Sequence, residues 1–100
     1  MRRWAEAPLE KIAGPVYVSI DLDGLDPSVA PGVSHHEPGG LTVRDVLNVL
    51  HAQRAPLVGA DVVELNPDRD INGMTATVAA KLVRELCAYA CSRAETRPTA

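Results

Sequence analysis

Val16-Tyr17-Val18-Ser19-Ile20-Asp21-Leu22-Asp23-Gly24-Leu25-Asp26-Pro27 passes from an apolar run straight into three carboxylates. The run is short, β-branched and preceded by Gly14-Pro15, which reads as a buried strand over about 15–21. Side chains alternate along a strand, so Asp21 and Asp23 are expected to leave the same face, two rises of roughly 3.3 Å apart. Two carboxylates so placed at the end of an apolar strand repel each other and lose hydration. Without a partner, one of them takes up a proton. A divalent metal is the simplest partner that keeps both ionised, which makes Asp21 and Asp23 candidate metal ligands.

Outward from that strand, residues 22–40 form a loop punctuated by Pro27, Pro31, Gly32, Pro38, Gly39 and Gly40. Loops of this length are uncommon in compact domains and usually functional. Thr42 then reads as a helix N-cap with Asp45 three residues on, close to a capping box. Val43, Val46, Leu47 and Leu50 follow on one helical face. Leu57 to Leu65 is a second apolar strand that carries Asp61 and Glu64 toward its end. After a loop with Pro67, Asp68, Asp70, Asn72 and Gly73, a second helix is expected over Thr75 to Ala90. It places Val78, Leu82 and Leu86 on one face, with Ala79, Val83 and Cys87 beside it.

Apolar strands alternating with amphipathic helices indicate parallel β-α-β units with both sheet faces covered. Two strands make a poor parallel sheet by themselves, so the pattern is that of the last third of a larger α/β domain. Residues 1–13 read as a mixed lead-in, and residues 92–100 as a disordered tail without periodicity. Ligands of open α/β sheets bind at the carboxyl ends of the strands. Both strands here carry their acids at that end.

Composition removes several function classes. The chain has 100 residues, a net charge of −3, no Phe, one Trp and two Tyr. It offers neither a basic stripe nor aromatic platforms for nucleic acid. No apolar run approaches the roughly 18–20 residues needed to cross a membrane. Met1-Arg2-Arg3-Trp4 is basic, but Glu6, Leu9 and Glu10 follow where a signal peptide needs an apolar core, so no cleavable leader is expected here. Cys87 and Cys91 have no second Cys or His couple to complete a metal site and read as reduced thiols.

Of two other motif readings of the acidic loop, one fails on position and the other, a remote alternative, is matched only in part. An EF-hand counted from Asp21 needs Gly at position 6 and an acid at position 12, where the chain has Asp26 and Gly32. Asp21-Leu22-Asp23-Gly24 also matches the opening of haloacid-dehalogenase-type phosphatases. There Leu25 replaces the Thr whose hydroxyl meets phosphate, and no Lys lies between that motif and Asp61.

A third pattern is far more specific. Ser19-x-Asp21-x-Asp23-x-x-Asp26-Pro27-x-x-x-Pro31-Gly32, followed by Pro38-x-Gly40-Leu41, resembles the signature of the ureohydrolases, the arginase and agmatinase family. The resemblance continues through Gly59-Ala60-Asp61-Val62-Val63-Glu64-Leu65-Asn66-Pro67, Asp70 and Gly73-Met74-Thr75-Ala76 to Leu86, covering roughly residues 15–90. The loop Ser34-His35-His36-Glu37-Pro38 and Arg44-Asp45-Val46-Leu47-Asn48 look like the plant-type arginase version.

The resemblance implies the C-terminal portion of a three-layer αβα arginase-type fold with a parallel sheet, over residues 1–91. It implies that two Mn²⁺ ions activate a bridging water to attack a guanidinium carbon, releasing urea. L-Arginine is the substrate the subgroup suggests, with agmatine the alternative. Asp21 and Asp23 match metal-ligating acids, Glu64 the acid that receives the guanidinium, and Asp26 and Asp61 groups that orient ligands. His35 stands where the commoner family form has Thr, and a contact with substrate is expected there. His36 has no family counterpart, and His51 reads as a surface residue. The family's catalytic His and remaining metal ligands match no residue in this chain. The chain alone is therefore expected to be inactive, either a fragment of an enzyme or a truncated product that docks on full-length subunits. For the complete protein the resemblance implies a homo-trimer or homo-hexamer, a mitochondrial or otherwise cytoplasmic location, and no nucleic-acid or membrane partner.

Overall fold

The computed structural model describes residues 11–94, so the expectations for residues 1–10 and 95–100 lie outside it. Strand β1 spans Val16–Asp21 and strand β2 spans Leu57–Val63. They pair in parallel with Ser19 opposite Asp61, Ile20 opposite Val62 and Asp21 opposite Val63. Helix α1, Val43–Ala52, makes the crossover, and helix α2, Met74–Ala94, follows β2.

Local chemistry sets these boundaries. Thr42 and Asp45 close a full capping box: each side chain accepts the other's backbone N–H at 3.0 Å. Past the end of α1, the buried Gln53 carbonyl Oε1 accepts the N–H groups of Arg54 and Ala55 at 2.9 and 2.8 Å and turns the chain toward β2. The Val16 N–H reaches the Pro56 carbonyl at 2.8 Å, so the two strands start side by side.

One face of the strand pair meets both helices. Ile20, Leu22, Leu25 and Val33 pack with Leu47 and Leu50 of α1 and Leu82 and Leu86 of α2, and Val18 and Val62 lean on this cluster. The helices are also joined directly, with the Lys81–Glu85 pair of α2 at 3.1 Å and His51 of α1 3.6 Å from Glu85. Tyr89 donates its hydroxyl to the Ala55 carbonyl. The opposite face carries Tyr17, Ser19 and Asp61. A Cβ on Gly59 would stand 2.8 Å from the exposed Tyr17 ring, so a side chain there would have to displace that ring. No helix among the described residues is long and apolar enough to cross a membrane.

Two boundaries and one side-chain direction differ from expectation. Strand β1 stops at Asp21, whose carboxylate accepts the Asp23 N–H at 2.8 Å and caps a 3₁₀ turn over Leu22–Gly24. Asp23 therefore sits on a turn, and strand alternation does not set its direction. Strand β2 ends at Val63, two residues early, because Glu64 takes φ 77°, a left-handed conformation that breaks the ladder. Helix α2 continues through residues 92–94, past the point where the tail was expected to begin.

Leu82 is fully buried between the helices and the sheet, whereas its neighbour Val83 is 48% exposed. Leu82→Ala is expected to cost about 2–5 kcal/mol of stability. Val83→Ala is expected to stay within about 0.5 kcal/mol. Denaturant titration checks both, as a lowered midpoint at unchanged slope for Leu82→Ala alone.

Candidate functional site

The strand register builds the site. Asp21 lies opposite Val63, so Glu64 is the next residue beyond the last pair of the ladder. The carboxylates of one strand end and the glutamate of the other are thus brought to the same edge. Glu64 is exposed, and its positive φ is a conformation a residue with a Cβ holds only when its surroundings impose it. Sequence patterning gave no sign of that backbone.

Asp23 is half-buried in the middle of the turn. Its Oδ1 is buried and has no hydrogen-bond partner, an unusual state for a carboxylate oxygen. Its Oδ2 is 3.9 Å from Nδ1 of His35, whose side chain is otherwise open to solvent. His36 is turned away from this corner. Its Nε2 lies 2.6 Å from the Pro31 carbonyl, and since a carbonyl only accepts, that nitrogen carries the proton.

Asp26 holds the loop. Its Oδ2 accepts the Ser28 N–H at 2.9 Å and the Ser28 hydroxyl, and its Oδ1 accepts the Gly39 and Gly40 N–H groups at 2.8 and 3.2 Å. These bonds, the Ser28 hydroxyl first, lower its carboxyl to about 2. Beside it, Leu25 and Leu41 form a parallel bridge, and the Asp26 N–H donates to the Leu41 carbonyl at 2.8 Å. Gly40 passes so close that a Cβ there would stand 2.7 Å from the Asp26 backbone nitrogen. The long loop is therefore folded back and tied at its base.

Asp61 lies one step behind this edge, on the same sheet face as Asp21. Its oxygens are taken by the Ser19 hydroxyl at 2.6 Å and the Tyr17 hydroxyl at 2.7 Å. The Ser19 bond, and then the Tyr17 bond, lower the Asp61 carboxyl, while that carboxylate raises the Tyr17 phenol. Asp61 braces the two strands and makes no hydrogen bond to Asp21 or Asp23.

The sequence reading assigned no role to a further group around Asp70. Its Oδ1 accepts the N–H groups of Ile71 and Thr75, both at 2.9 Å, and its Oδ2 accepts Ala76 N–H at 3.0 Å, capping α2. The wholly buried Thr75 in turn accepts the Gly32 N–H on its hydroxyl at 2.7 Å. The available signal was the Asp five residues before Thr75 at the mouth of an amphipathic helix. The link to Gly32 spans 43 positions and had none.

The chain matches the arginase family as a family model over residues 1–88. It is 72% identical over 74 residues to the mitochondrial arginase 1 of Arabidopsis thaliana, covering 73% of this chain and 22% of that relative. The solved arginase of Medicago truncatula superposes with a TM-score of 0.77 at 55% identity, over 88% of this chain and 30% of that one. The agmatine ureohydrolase of Thermoplasma volcanium superposes with a TM-score of 0.81 at 33% identity, over 97% and 33%. The chain spans about a fifth of the length of the curated relatives it matches.

The Asp26 bonds predict a titration. A carboxyl held below its ordinary value of 3.8 contributes stability that is complete above that pH and is lost as pH falls through about 2. The Ser28, Gly39 and Gly40 amide resonances are expected to shift together with a midpoint near 2. Asp26→Ala should abolish that shared step and speed exchange of the Gly39 and Gly40 amides.

Proposed function

Because this chain belongs to the arginase family, we propose that it carries part of the active site of a manganese-dependent enzyme that hydrolyses L-arginine to L-ornithine and urea. The observation that carries this reading is the register of Asp21 against Val63, which brings the end of β1 level with the residue before Glu64. The donor set fits a hard divalent cation. Asp21 and Asp23 supply carboxylate oxygens, and Asp23 Oδ1 is buried without a hydrogen-bond partner, as an atom reserved for a cation would be. Among the described residues no three His, Cys, Asp or Glu side chains gather to hold an ion, so further ligands would come from a family-length chain. Manganese, when bound, supplies a water acidic enough to lose its proton near neutral pH.

The chain's own groups hold and orient. Glu64 accepts the planar N–H fork of the guanidinium, a charge-assisted pairing that fixes both direction and plane. His35, next to Asp23, touches bound substrate. Asp26 keeps the loop that carries His35 folded against the strand ends, and Asp61 locks β1 to β2 behind Asp21. Arginine is favoured over agmatine because the superposed Medicago truncatula arginase shares 55% identity, against 33% for the superposed agmatine enzyme. The name of the Arabidopsis relative supports a mitochondrial location.

The test is a family-length chain in which residues 15–90 of this sequence replace the matched segment of the Medicago truncatula arginase. With Mn²⁺ it is expected to release urea from arginine in preference to agmatine; the reverse preference contradicts the substrate assignment. Glu64→Gln in that chain is expected to raise KM for arginine roughly ten- to a hundredfold at unchanged manganese content, since a bond to a charged group is lost. Asp23→Asn is expected to lose manganese and rate together. Retained metal and rate would remove Asp23 from the ligand set.

A further inference from the structure

Residues Gly32–Ser34 and residues Asn66–Thr75 are joined by four hydrogen bonds. The Asn66 N–H donates to the Gly32 carbonyl at 2.7 Å, and the Gly32 N–H donates to the Thr75 hydroxyl at 2.7 Å. At the rim, the Asn66 side-chain amide reaches the Ser34 hydroxyl at 3.0 Å and Arg69 reaches the Ser34 carbonyl at 2.8 Å. Gly32 is buried, and a Cβ there would stand 2.9 Å from the Asp70 side chain, so the two segments touch without room for another atom.

The ends of this clamp are the informative part. Ser34 precedes His35, and His35 stands 3.9 Å from Asp23. Asn66 follows two residues after Glu64, the residue with the forced backbone. The clamp therefore fixes the segment that leads from Glu64 against the segment that leads to the metal-side loop. Thr75 is wholly buried, with 0% exposure. Its hydroxyl accepts from Gly32, and its hydroxyl and N–H both stabilise the Asp70 carboxylate. One side chain thus links the loop after β1 to the cap of α2.

We infer that Thr75 is a positioning residue that sets the distance between Glu64 and the Asp21–Asp23 edge, through the Gly32–Asn66 backbone bond. The inference rests on the arginine-hydrolase reading, in which that distance decides how substrate is held. A Val at position 75 keeps the shape and removes the hydroxyl, leaving the buried Gly32 N–H without an acceptor. The loop then has reason to part from Asn66, and Glu64 loses its support. Asp21 and Asp23 keep their own turn, capped locally, and so their manganese.

The family-length chain described above tests this. Thr75→Val is expected to raise KM for arginine about tenfold, with kcat within about threefold and manganese content unchanged, the pattern of lost binding common to ground and transition states. Thr75→Ser, which keeps the hydroxyl, is expected to restore KM to within about twofold. An unchanged KM in Thr75→Val, or a Thr75→Ser chain as impaired as Thr75→Val, overturns the role. If Thr75→Val does not fold, Ser34→Ala decides, because it removes the rim bond from the Asn66 side chain and leaves the Asn66 cap on Asp68 in place. It is expected to raise KM without loss of manganese, and an unchanged KM overturns the clamp. Failure of the arginine-hydrolase reading is distinct: the unsubstituted chain then releases no urea from arginine.

Discussion

The parallel pairing of β1 and β2 is the constraint on which the remaining geometry depends. A parallel ladder brings two strand ends to one edge of the sheet, and its register decides which residues leave that edge together. Here the Val16 N–H bond to Pro56 starts the strands side by side, and the last pair sets Asp21 against Val63. A slip of β1 by one position against β2 would turn Val18 and Ile20 away from the helices and bring Tyr17 toward an apolar core. The same apolar residues that bury the sheet therefore also bring the acidic ends together. Asp61, bonded to both Ser19 and Tyr17 across the strand pair, adds a polar lock in that register.

Beyond the strand ends, apolar packing gives way to hydrogen bonding as the means of fixing position. The loop after β1 buries Leu22, Leu25 and Val33 as anchors, but its path between them is set by carboxylates and a hydroxyl. Asp26 gathers donors from residues 28, 39 and 40, and Asp70 with Thr75 gathers the start of α2 and Gly32. Carboxylates suit this work because each oxygen takes more than one donor, and charge strengthens every bond. The outcome is a long loop whose ends and middle are tied while the side chains at its tip stay open to solvent.

Much of this was legible in the residues. The apolar runs gave both strands, the Thr42–Asp45 spacing gave the start of α1, and the acids at both strand ends marked the edge that matters. The family resemblance read from Ser19 to Leu86 agrees with the arginase-family match. The failures have two causes. Alternation does not reach Asp23 because the Asp21 side chain caps a turn through a bond to the backbone only two residues on. The Gly32–Thr75 bond joins residues 43 positions apart. Propensity and periodicity are local, so contacts across 40 or more positions leave no trace in them.

The central claim is that Asp21 and Asp23 form one side of a manganese site that Glu64 overlooks. An anomalous difference map of the family-length chain, crystallised with Mn²⁺ and recorded at the manganese edge, tests it most directly. The account predicts manganese peaks at coordination distance from carboxylate oxygens of both Asp21 and Asp23, with Asp23 Oδ1 among the ligands. Manganese bound with neither carboxylate in its coordination shell would contradict it.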